Sequence, residues 1–373
     1  MKKYGVIIFL ISIFLMGLGI YLVMSASNTY SDVRYDQPFK IFSEHLRNAG
    51  LGLLFLIVFA VMPYRYLKPI SKAVLFTAIL LLLLTLLIGQ EINGAKRWLN
   101  LGIQFQTSDF ARLALIIHLA SFIERKGEAF QEFSQGFFKA FIWVVAVVVL
   151  VMAQPNVSTS FLLLMLSFIL MYVGGAKKRH ILLTSFTSFG LLLMSALMLS
   201  HSRERLEAFV TSLSEKKQVS TQVYQAIVGL GSGGPWGVGF GESKQRNLFI
   251  SEAHNDFIFA IWGEERGFAG TSTILAIYFT MFYLGFLISR KAPDVFGQLL
   301  AFGISMSFIM MAFINAAVAS GAIPATGLPL PFVSSGGTSI LILSISTGIL
   351  INIAFAAAKL EKSEPEIIIA KAN

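Results

Sequence analysis

The stretch Ser251–Gly270 reads S-E-A-H-N-D-F-I-F-A-I-W-G-E-E-R-G-F-A-G and crowds ionisable groups around a short apolar run. His254 and Asp256 stand just before Phe257–Trp262, and Glu264, Glu265 and Arg266 follow it. A membrane-crossing helix needs about 20 apolar residues, far more than this run supplies. The pattern predicts a half-inserted helix whose start carries the acid. Two roles suit a carboxylate there: a cap on the helix amino terminus, or a general base taking a proton from a substrate hydroxyl. Charged groups are costly at a membrane's edge and are usually functional.

Lys96, Arg97, Asp109 and Arg112 form a second collection. Asp109 and Arg112 are three apart, hence on one helix face. They make either an ion pair steadying a helix start or part of a binding site. Gly229–Gly234, G-L-G-S-G-G, matches a dinucleotide-binding pattern. No parallel strand–helix unit surrounds it, so it reads as a flexible turn beside a substrate path. The five histidines show no metal spacing, and zero cysteines exclude disulfides and thiolate sites. No cofactor is required, although carboxylate and phosphate oxygens are able to hold Mg²⁺ or Mn²⁺.

The elements that position these groups are membrane helices. The apolar set makes up 55% of the 373 residues and charged residues only 13%, about half the charge of an ordinary soluble domain. Ten apolar runs predict spans: about Tyr4–Met24, Ala49–Met62, Ile70–Ile88, Phe110–Ile123, Phe138–Met152, Thr159–Val173, Ile181–Ser200, Gly267–Ile288, Phe296–Ser320 and Ser339–Ala358. The first follows Lys2 and Lys3, as a signal peptide would, but is too long for one and reads as an uncleaved span. The fold class is therefore an all-α polytopic membrane protein of about ten transmembrane helices. It is expected to be one domain over 1–373, with a large extracytoplasmic loop and partial helix at 201–266 and a cytoplasmic tail at 359–373.

Charge orients the bundle. The even-numbered links carry Arg65, Lys68, Lys72, Arg125, Lys126, Lys139, Lys177, Lys178, Arg179, Arg290 and Lys291, and both termini are basic. Basic short links mark the cytoplasmic side, so both termini are expected there. The net charge of +9 then reflects loops facing anionic lipid, not nucleic-acid binding. Four stretches fall on the outer side: Gln90–Asp109, Gln154–Ser158, His201–Arg266 and Gly321–Gly337. No internal repeat of the inverted-transporter kind is visible.

The motifs on these outer stretches resemble those of the SEDS proteins (shape, elongation, division and sporulation), bacterial peptidoglycan polymerases that include FtsW and RodA. Gly94–Trp98 reads G-A-K-R-W, as the family's G-A-x-R-W. Gln106–Arg112 reads Q-T-S-D-F-A-R where the family has Q-P-S-E-x-x-K, and Gln154–Thr159 reads Q-P-N-V-S-T against Q-P-D-x-G-T. Gly237–Phe257 reads G-V-G-F-G-E-S-K-Q-R-N-L-F-I-S-E-A-H-N-D-F against G-x-G-x-G-x-S-x-Q-K-x-x-Y-L-P-E-A-H-T-D-F, and Pro329–Ser339 reads P-L-P-F-V-S-S-G-G-T-S against L-P-F-x-S-Y-G-G-S-S. The resemblance covers nearly the whole chain. Ala253, after G-E-S-K-Q-R, looks more like the division branch, FtsW, than the elongation branch, RodA.

The resemblance implies an inverting glycosyltransferase in the bacterial cytoplasmic membrane that polymerises lipid II into β-1,4 glycan strands on the outer face. The family's essential acid falls on Asp256 as general base. Its basic positions fall on Arg97, Arg112 and Arg246, with Lys96 and Lys244 as further cations. Asp109, His254, Ser334 and Ser339 join the implied substrate-binding set. The implied partners are a class B penicillin-binding protein, a transpeptidase, and other division membrane proteins. Arg112 replaces a family lysine and Asp109 a glutamate, keeping charge but changing reach. Asn156 replaces an aspartate, Ser335 a tyrosine and Asn255 a threonine. A lipid II flippase, an elongation-type polymerase and a scaffold that only recruits the transpeptidase are the alternatives.

Overall fold

The computed structural model describes residues 1–92, 95–100, 102, 104–215, 221–245 and 254–372. Apolar runs in a bilayer must satisfy their backbone groups internally, and helices do so. The ten expected spans are all helical: α1 (Lys2–Tyr35), α2 (Lys40–Val61), α3 (Leu67–Ile88), α4 (Thr107–Lys126), α5 (Phe138–Ala153), α6 (Val157–Val173), α7 (Lys178–Met198), α10 (Ile258–Lys291), α11 (Val295–Ala319) and α12 (Ser339–Ala372). Eight helical stretches among the described residues are long and apolar enough to cross a membrane by themselves. Of the other two, α4 is largely buried in the bundle, and α6 is apolar but only 17 residues long. Two further helices, α8 (Ser200–Glu215) and α9 (Thr221–Ser232), lie between α7 and α10.

The polar ends of α1 and α2 extend both helices beyond their apolar runs. Beyond its apolar run α1 continues past the acid-bearing turn: Ser27 and Ser31 are buried, and Tyr30 lies 5.1 Å from the His254 ring, while residues 32–35 are exposed. His45 and Asn48 of α2 are buried. Hydropathy undercounts helices whose polar residues face inward.

The helical expectation holds, with one addition. Strands β1 (Gln90–Ile92), β2 (Ala95–Asn100) and β3 (Gln104–Gln106) form an antiparallel sheet in that order, with Trp98 paired to Gln106. Its last strand is tied to the start of α12. The Gln106 amide donates to Thr338 Oγ1 at 3.0 Å, and that hydroxyl donates to the Gln104 carbonyl at 3.2 Å.

The opposite end of the bundle is clasped by charge. Tyr64 and Arg65 both donate to Asp294 Oδ2, at 2.8 and 3.0 Å. The Met1 ammonium pairs with Glu361 at 3.1 Å, so the start of α1 lies beside residue 361 of α12. By contrast α7 is scarcely packed, with Phe186 84% and Met198 78% exposed. Those side chains suit lipid contact.

Helix α10 is broken at Gly267, whose φ of 65° and ψ of −162° divide residues 258–266 from the long arm beyond. Only glycine adopts such a backbone readily. A Cβ there would also lie 2.5 Å from the Gly237 nitrogen and 2.6 Å from the Gly234 carbonyl oxygen. Of the glycines at 229–234, two serve close packing: a Cβ would lie 3.1 Å from Gln245 Cγ at Gly229 and 2.1 Å from the Gly263 carbonyl oxygen at Gly233. Gly229 to Ser232 are the end of α9, and the Phe268 amide donates to the Gly234 carbonyl at 2.8 Å.

Candidate functional site

The acid-bearing turn 254–257 is held through its backbone. Ser335 N–H donates to the His254 carbonyl at 3.0 Å, the Ser334 hydroxyl to the Asn255 carbonyl at 2.6 Å, and the Asn315 amide to the Asp256 carbonyl at 2.9 Å. Three successive carbonyls are thus fixed by the glycine- and proline-rich segment before α12 and by one polar residue of α11. Asn315 also donates to the Leu328 carbonyl at 2.8 Å, and Ser334 accepts from the Leu330 amide at 2.8 Å. Phe257 is buried beneath the turn.

With its backbone so anchored, the Asp256 side chain is free for chemistry. The residue is half-buried, and its Oδ1 is shielded from solvent without a hydrogen-bond partner. Gly327 lies against the other oxygen, where a Cβ would stand 3.4 Å from Oδ2. Burial pushes the Asp256 carboxyl up to about 6, and the nearby Arg205 and Arg97 charges oppose the rise. No cap hydrogen bond from a side chain is made at the start of α10.

Arg97 comes from β2 and donates through Nε to the Gln154 carbonyl at 3.4 Å and through Nη2 to the Pro155 carbonyl. Gln154 is itself fixed by donating to the Leu82 carbonyl at 3.1 Å, and Asn156 caps α6 by accepting from the Thr159 amide at 3.3 Å. Asn156 thereby keeps a structural task without a charge. Arg205 comes from α8 and donates to the Ala325 carbonyl at 3.2 Å. Burial and the repulsion of Arg205 lower the Arg97 guanidinium to about 10, and burial lowers Arg205. Neither arginine forms an ion pair with a carboxylate among the described residues. Both line a cavity of about 400 Å³ between α6, α7, α8 and residues 323–328, whose apolar wall includes Phe161, Phe189 and Leu192.

The other expected residues are distributed differently. Asp109 and Arg112 form an ion pair at 2.8 Å, each under 5% exposed, and do not line the cavity. His254 is buried against Tyr30, and burial lowers its imidazole to about 4, leaving it neutral at pH 7. Both hydrogen bonds of Ser334 are spent on the backbone. Ser339 begins α12 with its hydroxyl buried and unpartnered. Lys96 is half-buried on β2, Lys244 is exposed, and Arg246 lies outside the described residues.

Sequence reasoning missed Arg205 and Asn315, and it named Glu264 without giving it a role. Asn315 carried a signal, an amide inside the apolar run Phe308–Ala319. Glu264 is buried and accepts from the Ser243 and Ser232 hydroxyls and, at 3.2 Å each, from the Lys244 and Gln245 amides. It ties the segment approaching Asp256 to the helix that follows it. No group of three or more His, Asp or Glu arranged for a metal occurs among the described residues.

Residues 6–359 match the family model for the cell cycle proteins FtsW, RodA and SpoVE. A Geobacter sulfurreducens protein named as a probable peptidoglycan glycosyltransferase, FtsW, is 29% identical over 94% of this chain and 95% of its own length. Stage V sporulation protein E of Bacillus subtilis is 30% identical over 92% and 95%. Among solved structures, a chain from a peptidoglycan synthase complex that coordinates polymerization and crosslinking is 26% identical. It superposes with a TM-score of 0.71 over 92% of this chain and 96% of its own. The rod shape determining protein RodA of Thermus thermophilus, 24% identical with a TM-score of 0.68 over 93% and 95%, shares the fold.

Proposed function

The chain belongs to the FtsW, RodA and SpoVE family, and we propose that it is a peptidoglycan glycosyltransferase that polymerises lipid II on the outer face of the cytoplasmic membrane. Both termini then lie in the cytoplasm, and the end holding Asp256 faces outward. Asp256 takes the proton from the 4-hydroxyl of the acceptor's terminal N-acetylglucosamine. That oxygen attacks the donor's anomeric carbon, the lipid diphosphate leaves, and the configuration inverts. A base is most effective when its pKa lies near the working pH, and burial moves Asp256 toward it.

One observation carries the reading. The carboxylate Oδ1 is buried without a partner while the backbone of its turn is fixed at three consecutive carbonyls. Such preorganisation suits a group that must meet a substrate proton. A divalent cation would find hard oxygen donors in Asp256 and the substrate diphosphate, and it would neutralise leaving-group charge.

The gathering of Asp256, Arg97 and Arg205 at one end of the bundle supports an enzyme over a lipid flippase, which needs a polar path open to both sides. We assign the chain to septal synthesis beside a class B penicillin-binding protein, on the G-E-S-K-Q-R and Ala253 resemblance. The test is glycan-strand formation from lipid II by the chain with its transpeptidase, with and without chelator. Asp256→Ala and Asp256→Asn should abolish strands while both proteins remain folded in the membrane. Full polymerisation by either variant overturns the reading.

A further inference from the structure

The segment between α11 and α12 reaches deeper than the acid it helps to hold. Asn315 of α11 meets the Asp256 and Leu328 carbonyls, while the ring of Phe308, on the same helix, lies 5.9 Å from that of Phe332. The helix between those two contacts rises about 10 Å. Phe308 is about 16 Å from the outer end of α11, and Tyr278 is about 16 Å below the break at Gly267. The tip Pro331–Val333 therefore sits near the middle of a hydrocarbon core about 30 Å thick. Irregular backbone is tolerated at that depth only where protein encloses it, and Leu330, Phe332 and Val333 are buried.

The tip is also strained. Phe332 has a φ of 65°, which a bulky residue adopts only when its surroundings dictate it. Three helices supply those surroundings. Tyr278 of α10 donates its buried hydroxyl to the Pro331 carbonyl at 2.5 Å. Gly19 of α1 gives the chain room: a Cβ there would overlap the Phe332 carbonyl oxygen and stand 2.9 Å from that of Val333. Phe308 of α11 packs the ring. The next two residues hold the acid-bearing turn, Ser334 through the Asn255 carbonyl and Ser335 through that of His254. Backbone strain of this kind gathers at functional sites, where the surrounding structure over-determines it.

We propose that Tyr278 and Gly19 are positioning residues for Asp256. With Phe308 they form a mid-membrane socket for the strained tip, and the tip sets the height of Ser334 and Ser335 and so of the carboxylate. This rests on the glycosyltransferase reading above. Loss of the Tyr278 hydroxyl leaves the Pro331 carbonyl unpaired and removes a restraint on Phe332. The tip then relaxes, and the two serines move with it.

Matched pairs of variants in the full-length chain with its transpeptidase test this. Tyr278→Phe removes a buried hydroxyl, and Tyr283→Phe removes an exposed one from the same helix. Gly19→Ala fills the socket, whereas Gly17→Ala adds the same methyl to open space on the same helix. In Tyr278→Phe and Gly19→Ala, kcat per folded molecule should fall about 10–100-fold, as for a misplacement of about 1 Å. KM for lipid II should hold, because the substrate contacts remain. Exchange of the Ser335 amide hydrogen should quicken about tenfold in both, the scale of one weakened buried hydrogen bond. Tyr283→Phe and Gly17→Ala should match the parent in every measurement. A lower melting temperature with parental kcat per folded molecule in Tyr278→Phe would make the tip merely structural and overturn the proposal. Unchanged Ser335 exchange, or an equal loss in the control of either pair, overturns it as well. Polymerisation by Asp256→Asn would instead overturn the reading beneath it, while the exchange measurement, which needs no turnover, still reports on the socket.

Discussion

The carboxamide of Asn315 joins two backbone carbonyls, Asp256 at 2.9 Å and Leu328 at 2.8 Å. Asn315 sits in α11, among the most enclosed helices, and is 1% exposed. Through it the acid-bearing turn and the segment before α12 are registered on one rigid helix. The relationship explains why an amide occurs in an otherwise apolar run, and it separates two tasks. The backbone of residue 256 is structural, while its carboxylate Oδ1 is left without a hydrogen-bond partner.

Asn315→Leu removes the donor and strands two carbonyls. An unsatisfied buried polar group costs about 1–3 kcal/mol, so the variant should melt several degrees lower in detergent. Because the turn loses its register, glycan-strand formation should fall by about 10–100-fold, as a misplacement of about 1 Å far from the chemistry does. Strand formation at the parental rate would show that Asn315 does not set the position of Asp256.

Glu264 makes a separable contribution. Its carboxylate gathers two hydroxyls and two amides onto 232–245. Glu264→Gln keeps the size but replaces one acceptor oxygen with a donor. It should destabilise by about 1–3 kcal/mol through unpaired donors and make the chain at 239–245 more sensitive to protease. Unaltered proteolysis and melting would show that Glu264 does not hold this segment.

The spans were legible because a bilayer demands long apolar runs, and Asp256 drew notice because it stands just before a short one. The site's partners were harder to read. Arg205 stands in R-E-R-L-E-A-F, a pattern that describes any exposed amphipathic helix, and only the packing of α8 against Ala325 brings it to the cavity. The sheet at 90–106 escaped notice because its strands are three to six residues long, too short for periodicity to register. Ser334 was readable as a motif residue but not in its role. Its hydroxyl is committed to the backbone of residues 255 and 330, which spacing alone does not reveal.

Activity should depend on pH through Asp256. The base works only when ionised, and its carboxyl is raised to about 6. The rate is therefore highest above that value and falls tenfold per pH unit below it. Arg205 and Arg97 favour the ionised form, so removing the Arg205 charge raises the carboxyl further. In Arg205→Gln the acid limb of kcat/KM should move to higher pH, whereas Asn315→Leu should lower the rate with much less displacement of the limb. A profile in Arg205→Gln superimposable on the parent's would separate Arg205 from Asp256 electrostatically.

Asp109 and Arg112 supply the sharpest contrast between structural and substrate-binding roles. They neutralise each other at 2.8 Å, buried and outside the lining of the cavity. Breaking such a pair from one side costs about 3–5 kcal/mol, because a buried charge is left uncompensated, while replacing both partners with apolar residues is often neutral. Arg112→Met alone should therefore express poorly and melt early, and Asp109→Leu with Arg112→Met should recover much of the stability. If the pair only steadies the start of α4, the double variant also polymerises lipid II at close to the parental rate. If instead Arg112 grips substrate, the double variant will be stable and inactive. Melting and strand formation measured on the same three proteins decide between these outcomes.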